Sequence, residues 1–365
     1  VVTTARNMKK EVLRFDPTRP VTEALCSWDN TGREWPLFDP HAEVLDIVGY
    51  NYMEDRYELD HRMYPNRVML GSENFPKEIG YRWPFVESHP YVIGDFTWTA
   101  WDYIGEAGIG KAVYVDAEDP LVEKGPWALM PWASSPYPWR LANDADYDIT
   151  GQMLPQGAYR SVVWGSEKTY LYSMHPDTFG KVEMMSMWGF PAVLANWNYG
   201  GYEGKPVALV VYSGAEEVEV LVNGESICRK KVCMERPMPN SVRFETIYRP
   251  GRVEAISYRD GKEVSRDELV TAGEPAALRL LPEKEEMRAD GHDLLYVGIE
   301  VVDADGRIVP DAEILLKASV TGCAVLAGFG SGNPVTEENY ADDEARTYRG
   351  RAMAILRAGY EVGEV

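Results

Sequence analysis

Along residues 1–104 the hydrophobic positions change from a helical spacing to short compact runs. Residues 5–15 have the spacing of an amphipathic helix, which Asp16-Pro17 ends because a residue before proline avoids the α region. Runs that are apolar on both faces follow at residues 20–25, 45–50, 67–71 and 91–98. Such runs are typical of parallel strands buried on both sides, so they predict part of a β/α barrel. Because these strands cannot close a barrel, we expect the remainder to precede Val1.

The pattern changes after the predicted barrel strands. Residues 107–138 are rich in Gly, Pro, Trp and acidic residues, which indicates an ordered excursion, and a helix is predicted at 157–163. From residue 168 onward short strands alternate, with hairpin turns predicted at Asn223-Gly224 and Asp260-Gly261. These strands predict a β-sandwich, and a second sandwich begins near residue 276. Its predicted strands are 294–302 and 314–320, and we expect the last residues to form another strand.

The fold class predicted from these patterns is a multidomain chain, a partial (β/α)8 TIM barrel followed by two β-sandwiches. We predict that residues 1–150 form half of the barrel with its excursion. Residues 151–270 are predicted to form the first sandwich and residues 271–365 the second.

Charge and composition narrow the function classes. A formal charge of −21 opposes the basic surface that nucleic-acid binding needs and disfavours anionic membranes, so a neutral ligand fits better. No run approaches the roughly 18 apolar residues of a membrane-spanning helix. The four cysteines lack zinc-site spacing, so we interpret them as unpaired structural thiols, which favours a reducing compartment. Localisation and self-association stay open.

The strongest candidate for chemistry is Glu73, which follows the apolar run of the third predicted strand. Cleavage of a glycosidic bond uses two carboxyl groups, which lie about 5–5.5 Å apart in retaining enzymes. Glu73 could be the attacking carboxylate, or it could be an ordinary surface or capping residue. Asn51 and Tyr52 end the preceding strand, where the Tyr52 hydroxyl could hydrogen-bond that carboxylate or pack in the core.

Aromatic side chains follow other predicted strands. Trp98 and Trp101 come after the fourth strand, where an indole could form a platform for a sugar or plug the barrel. Trp28 and Asp29 follow the first strand and could line the same opening or belong to a turn. Trp188 and Trp197 could mark a sugar-binding face on the first sandwich, or they could pack that domain against the barrel.

Several motifs together resemble glycoside hydrolase family 2. The resemblance rests on segments 16–22, 46–52 and 94–98 and on Gly71-Ser72-Glu73, in this order and spacing. Segments 197–224, 327–334 and 348–352 resemble the immunoglobulin-like domains that follow the barrel in bacterial β-galactosidases of that family. The resemblance implies barrel strands five to eight followed by two immunoglobulin-like sandwiches.

The same resemblance implies a role for each candidate residue. Glu73 would be the nucleophile, Trp98 the sugar platform of the eighth strand, and Asn51 and Tyr52 pocket residues of the sixth. The family's acid/base, a Glu directly after an Asn, would lie upstream of Val1, because residues 1–104 contain no Asn-Glu pair. We therefore expect the chain alone to be inactive. No cofactor is required, although some relatives hold Mg²⁺ or Na⁺ near the pocket.

The substrate expected from the resemblance is a neutral sugar. Glucuronidases of the family carry an Asn-x-Lys element after the eighth strand, and residues 103–111 lack it. This favours a β-linked galactoside, with mannosidase or glucuronidase activity as alternatives. A different class of function stays open as well, a non-catalytic carbohydrate-binding or scaffold protein made of the sandwiches.

Overall fold

The computed structural model describes residues 1–28, 33–130 and 135–365. The chain divides into two compact units. The first contains Val1–Thr99 together with Glu235–Pro239, and the second contains Ala100–Met234 and Asn240–Val365. The predicted boundaries at residues 150 and 270 stay predictions.

A parallel sheet forms the centre of the first unit. Its four strands are adjacent in chain order: β1 (Thr22–Leu25), β2 (Ile47–Asn51), β3 (Met69–Asn74) and β4 (Val92–Thr97). The helices are α1 (Val2–Phe15), α2 (Asp39–Ala42), α3 (Tyr57–Met63) and α4 (Ile79–Ser88), with 3₁₀ turns at Trp35–Phe38, Glu54–Arg56 and Pro76–Glu78. Parallel strands in chain order agree with the prediction from the apolar runs. The four-stranded sheet is open, so it does not show whether these strands belong to a closed barrel. The half-barrel therefore stays a prediction.

Burial differs along this sheet. Tyr50 of β2 and Met69 of β3 are fully buried, as expected for strands covered on both faces. The edge strand β4 instead exposes 54% of Ile93 and 61% of Phe96, and most of β1 is exposed. The prediction of burial on both faces is therefore wrong for these edge strands, because side chains of an edge strand lack the flanking contacts that a second neighbouring strand supplies.

One buried carboxylate ties the central strands to the helices. Asp60 of α3 is 1% exposed and accepts hydrogen bonds from Trp35 Nε1 at 2.7 Å and from the Tyr50 hydroxyl at 2.9 Å. Arg67, just before β3, lies 3.3 Å from the same carboxylate. A buried charge is tolerated when it is paired and hydrogen-bonded, so this network fixes α3 against the sheet.

The second unit begins with irregular chain. It contains β5 (Ala112–Val115), α5 (Pro120–Lys124), a 3₁₀ turn at Pro126–Leu129 and α6 (Pro155–Val163). The helix α6, which the sequence predicts, carries Arg160, whose Nε lies 2.6 Å from the buried Asp146 carboxylate. This ion pair attaches α6 to the preceding loop.

The first sandwich has two antiparallel sheets. Its strands are β6 (Tyr170–Ser173), β8 (Pro206–Tyr212), β9 (Glu217–Val222), β10 (Glu225–Lys231), β11 (Ser241–Ile247), β12 (Arg252–Arg259) and β13 (Lys262–Val270), and β7 (Val182–Met185) pairs with β5. The sheet orders are β10-β9-β12-β13 and β11-β8-β6. The predicted turns Asn223-Gly224 and Asp260-Gly261 join paired strands, and Asn223 has the positive φ that this turn type requires.

The core between these sheets is apolar and aromatic. Alternating valines of β9 face Phe244, Tyr248 and Trp197. Trp197 is 1% exposed and Trp188 is 8% exposed. Both side chains are buried, so the prediction of a sugar-binding face is wrong, and Trp197 packs in the core of the sandwich itself. Packing of the domain against the barrel stays a prediction.

The second sandwich is smaller. Its strands are β14 (Ala277–Pro282), β15 (Leu294–Val302), β16 (Leu315–Lys317), β17 (Ala324–Gly330), β18 (Glu344–Arg346) and β19 (Arg351–Ala358). They form sheets of order β14-β15-β19-β17 and β16-β18. Two predictions differ from this arrangement: β16 is shorter than 314–320, and residues 359–365 form no strand.

Candidate active site

The candidate site is built at the carboxyl ends of β2 and β3. Glu73 is the penultimate residue of β3 and is half-buried. The hydroxyl of Tyr52 donates a hydrogen bond to Glu73 Oε1, which confirms the contact predicted from the sequence. The Tyr52 amide also donates to the Glu73 carbonyl oxygen at 2.9 Å. The amide bond joins the two strand ends, and the hydroxyl bond orients the carboxylate.

A register shift places these two residues together. The parallel pairing of β2 and β3 is regular from Val48 to Tyr50, and an irregularity then brings Asn51 opposite Glu73. Immediately after this shift Tyr52 adopts a φ of +56°. A bulge re-aims side chains, and a positive φ is uncommon for a bulky residue. The backbone of the site is therefore locally irregular where Tyr52 meets Glu73.

Aromatic rings flank Tyr52 on two sides. The Phe75 ring centroid is 4.5 Å from that of Tyr52, at an interplanar angle of 30°. The Trp28 ring lies 5.5 Å away at 32°, and 52% of Trp28 is exposed. An exposed indole beside the carboxylate's tyrosine offers an apolar surface on which the C–H face of a sugar could stack.

Polar groups of Asn51 and Cys26 lie close to Glu73. The Ser72 hydroxyl donates to Asn51 Oδ1 at 3.3 Å. Burial and the negative charge of Glu73 raise the pKa of the Cys26 thiol, and a hydrogen bond with the Asn51 side chain opposes that shift. Cys26 therefore belongs to the surroundings of Glu73. Sequence reasoning missed it, because a single cysteine at the end of β1 carries no signal of its spatial neighbours.

Trp98 approaches the site from β4. Its amide donates to the carbonyl oxygen of Asn74 at 3.0 Å, so Trp98 is anchored one residue after Glu73. The Asn74 side chain is buried and donates to Asp95 Oδ1 of β4. These contacts join the ends of β3 and β4. The structure thus gathers Trp28, Asn51, Tyr52, Glu73 and Trp98 at adjoining strand ends.

A second carboxyl group, Glu54, is buried below this surface. Glu54 is 6% exposed, and its Oε1 has no hydrogen-bond partner within the part of the chain that the structure describes. Burial raises the pKa of Glu54 to about 7, although the Arg82 guanidinium 3.9 Å away opposes that rise. Sequence reasoning also missed Glu54, since an acidic residue in a 3₁₀ turn has the pattern of a surface position.

For two predicted residues, Asp29 and Trp101, the structure does not test a place in this site. Asp29 falls outside the described residues. Trp101 belongs to the second unit, where its indole stacks on Tyr147 with ring centroids 5.8 Å apart. The pocket roles predicted for Trp101 and Asp29 stay predictions.

A Mg²⁺ or Na⁺ ion near the pocket stays a prediction. Across residues 1–28, 33–130 and 135–365, no group of three or more His, Cys, Asp or Glu side chains could hold one. The four cysteines, all of which are described, form no disulfide bond. In the same ranges no helix is long and apolar enough to cross a bilayer.

Comparison with known domains gives matches in both sandwiches. Residues 278–365 match the glycoside hydrolase family 2 C-terminal domain 5. Residues 204–265 match a domain of unknown function, DUF4982. A solved glycosyl hydrolase family 2 member from Bacteroides cellulosilyticus is similar over 99% of this chain and 44% of its own, with 34% identity and a TM-score of 0.83.

Curated relatives extend the same similarity. The β-galactosidase BoGH2A of Bacteroides ovatus is 26% identical over 390 aligned residues, 94% of this chain and 39% of its own. A β-glucuronidase of Formosa agariphila is 29% identical over 173 residues, 46% of this chain and 17% of its own. The chain therefore spans less than half the length of these relatives.

The matching family 2 domain and the similarity to the solved glycosyl hydrolase place this chain among the glycoside hydrolases. More specifically, it belongs to glycoside hydrolase family 2.

Proposed function

We propose that this chain carries the nucleophile of a retaining β-glycosidase that hydrolyses terminal β-galactosides. The observation that supports it is the half-buried Glu73 carboxylate at the end of β3, which accepts a hydrogen bond from Tyr52 beside the exposed Trp28 ring. A carboxylate oriented by a hydroxyl and adjoining an aromatic surface suits attack on a sugar bound against that surface.

The proposed reaction is a double displacement. A Glu73 oxygen bonds to the anomeric carbon as the bond to the leaving oxygen breaks, and a general acid protonates that oxygen. Water, deprotonated by the same group now acting as a base, then attacks the anomeric carbon and releases Glu73. This sequence of steps uses no cofactor.

The acid/base is proposed to be supplied by polypeptide that precedes Val1. The sequence of residues 1–104 contains no Asn-Glu pair, and the relatives are more than twice as long as the segment they share with this chain. We therefore expect activity in a complete enzyme that carries this chain, and none in the chain alone.

Galactose is the proposed sugar. Residues 103–111 lack an Asn-x-Lys element, and the relative similar over 94% of the chain is a β-galactosidase. Glucuronidase activity is the competing specificity, because a Formosa agariphila relative has that activity in its name.

Substitution of the nucleophile tests the proposal. In a complete enzyme, Glu73→Gln removes the attacking charge and keeps the shape, so kcat on an aryl β-galactoside should fall by at least about a thousandfold. Glu78→Gln, an acidic residue of the same unit, serves as the matched control and should retain activity. Unchanged turnover by Glu73→Gln would show that Glu73 is not the nucleophile and would favour the scaffold alternative.

Covalent trapping tests both nucleophile and sugar. A 2-deoxy-2-fluoro-β-galactoside should label the enzyme once, on the peptide that contains Glu73, as read by mass spectrometry. Labelling of another residue would overturn the assignment. Faster labelling by the corresponding glucuronide would leave Glu73 in place and replace galactose as the substrate.

A further inference from the structure

The second unit contains a cavity that none of the predicted roles uses. Its volume is about 290 Å³, close to the lower end of small-molecule sites. The loop before α6, the segment 193–196 and the second sandwich all contribute to its lining. A neighbouring cavity of about 270 Å³ shares several wall residues, including Tyr348 and Arg349. Arg349 therefore stands at the junction of two cavities.

The backbone at Arg349 is unusual for this residue type. Tyr348 and Arg351 pair across a tight turn between β18 and β19, and Arg349 and Gly350 occupy its centre with φ values of +53° and +70°. Turns with two positive φ values strongly prefer Asn-Gly at the centre, as at Asn223-Gly224. The turn itself therefore does not explain why an arginine stands at this position. A non-glycine residue with a positive φ that lines a cavity points to a functional role.

The guanidinium of Arg349 has no acidic partner among the residues the structure describes. It lies over the adjacent Tyr348 ring, 5.0 Å from the ring centroid. The chain has 58 acidic and 37 basic residues, so carboxylates are plentiful, and the neighbouring Arg351 lies 3.4 Å from Glu300. A half-buried cation left without such a partner is available to an anion that enters the cavity.

Other polar groups line the same cavity. The Asn196 Oδ1 accepts from the Asn198 amide at 2.6 Å, which leaves the Asn196 amide hydrogens as donors. Asp148 Oδ1 accepts from Thr150 and Gln152, so Asp148 Oδ2 remains an acceptor. A side chain at Gly332 would come within 2.3 Å of this Oδ2, so the glycine leaves the oxygen room. Apolar walls are supplied by Leu154, Pro155 and Val193.

We propose that this cavity binds a monosaccharide unit that carries a carboxylate. The planar guanidinium of Arg349 pairs with the carboxylate through two parallel hydrogen bonds. Asn196 and Asp148 bind the ring hydroxyls as donor and acceptor, and the apolar walls face the C–H surface of the ring. All the lining residues belong to the second unit, and the proposal does not depend on the proposed hydrolysis.

Calorimetric titration of the full chain with galacturonate tests the proposal. Galacturonate should bind at least about tenfold more tightly than galactose, because galactose lacks the partner of the guanidinium. Inorganic sulfate should bind more weakly than galacturonate, since it offers no ring to the walls. Equal affinity for galactose would overturn the role of the carboxylate, and equal affinity for sulfate would overturn the role of the sugar.

Substitutions locate the binding site. Arg349→Asn suits the turn and removes the guanidinium, so it should weaken galacturonate binding at least about tenfold without lowering the thermal midpoint. Arg288→Asn, an exposed arginine that does not line the cavity, is the control and should bind as the parent does. Binding unaffected by Arg349→Asn would overturn the site.

A second variant tests the same site if the first variant does not fold. Should Arg349→Asn fail to fold, Arg349→Lys carries the test, because lysine keeps the charge and loses the paired donors. Weakened galacturonate binding by the folded lysine variant supports the site. Undiminished binding by that variant overturns it. Titration with a di-galacturonide in parallel distinguishes two natural sources of the ligand, the end of an oligosaccharide and a free sugar acid.

Discussion

Tyr52 and Glu73 are joined by two hydrogen bonds, one from the tyrosine amide to the glutamate carbonyl oxygen at 2.9 Å and one from the hydroxyl to Oε1. The first bond continues the pairing of β2 with β3, and the second orients the carboxylate. Tyr52 has a φ of +56°, so the backbone departs from strand geometry at the residue whose hydroxyl reaches Glu73. The carboxylate is thus positioned by the strand that precedes its own.

Tyr52→Phe should therefore lower kcat in a complete enzyme. The substitution keeps the ring between Trp28 and Phe75 and removes one hydrogen bond to a charged group. Such a bond contributes about 1.5–3 kcal/mol, so steady-state kinetics should show a loss of roughly ten- to hundredfold. The control is Tyr64→Phe, which removes a 2.6 Å bond to Asp39 in the same unit. A loss of equal size in both variants would indicate general destabilisation instead of positioning.

The proximity of Cys26 to Glu73 gives a prediction that needs no activity. Burial and the Glu73 charge hold the pKa of the Cys26 thiol above its usual value, so little reactive thiolate is present near neutral pH. Glu73→Gln removes the charge, and iodoacetamide should then alkylate Cys26 severalfold faster at pH 8, as followed by peptide mass spectrometry. Glu78→Gln should leave the rate unchanged. An unaltered rate in Glu73→Gln would contradict the placement of Cys26.

Residues in tight turns and at the ends of apolar strands were predictable, and residues whose surroundings come from several other elements were not. Asn223-Gly224 specifies its hairpin because the turn itself requires two positive φ values. Glu73 was identifiable because it ends an apolar strand. Cys26 and Glu54 were missed because their surroundings come from other strands and from α4, which the local pattern around each residue does not encode. Trp188 and Trp197 show the same limit, since a sequence cannot tell a buried indole from an exposed one.

Gly71 of β3 should be intolerant of a side chain. A Cβ there would lie 2.4 Å from Asn74 Nδ2 and 2.9 Å from the Tyr57 hydroxyl. Both groups are buried, so Gly71→Ala should cost about 1–3 kcal/mol of unfolding free energy in urea titration. At Gly94 of β4 the nearest contact is the flexible end of Leu70 at 3.3 Å, so Gly94→Ala is the matched control. Equal losses in the two variants would mean that crowding near Asn74 is not the cause.

Glu54 should make the stability of the first unit depend on pH. Burial raises the pKa of its carboxyl group to about 7 from 4.5, and Glu78 and Asp95 add to the rise against the opposing charge of Arg82. Between these pH values the folded state binds more protons than the unfolded state. Stability is therefore lost as pH rises through this window, by up to about 3 kcal/mol at 1.36 kcal/mol per pKa unit.

Glu54→Gln isolates this effect, because glutamine has the shape of the protonated acid and does not titrate. The variant should gain stability relative to the parent as the pH rises from 5 to 8, in urea unfolding followed by tryptophan fluorescence. Asp55→Asn is the control: Asp55 also pairs with Arg82, at 2.7 Å, but its side chain is 83% exposed. Loss of that exposed pair should cost less than about 1 kcal/mol. A difference between Glu54→Gln and the parent that stays constant from pH 5 to 8 would show that the Glu54 carboxyl group titrates alike in the folded and unfolded chains.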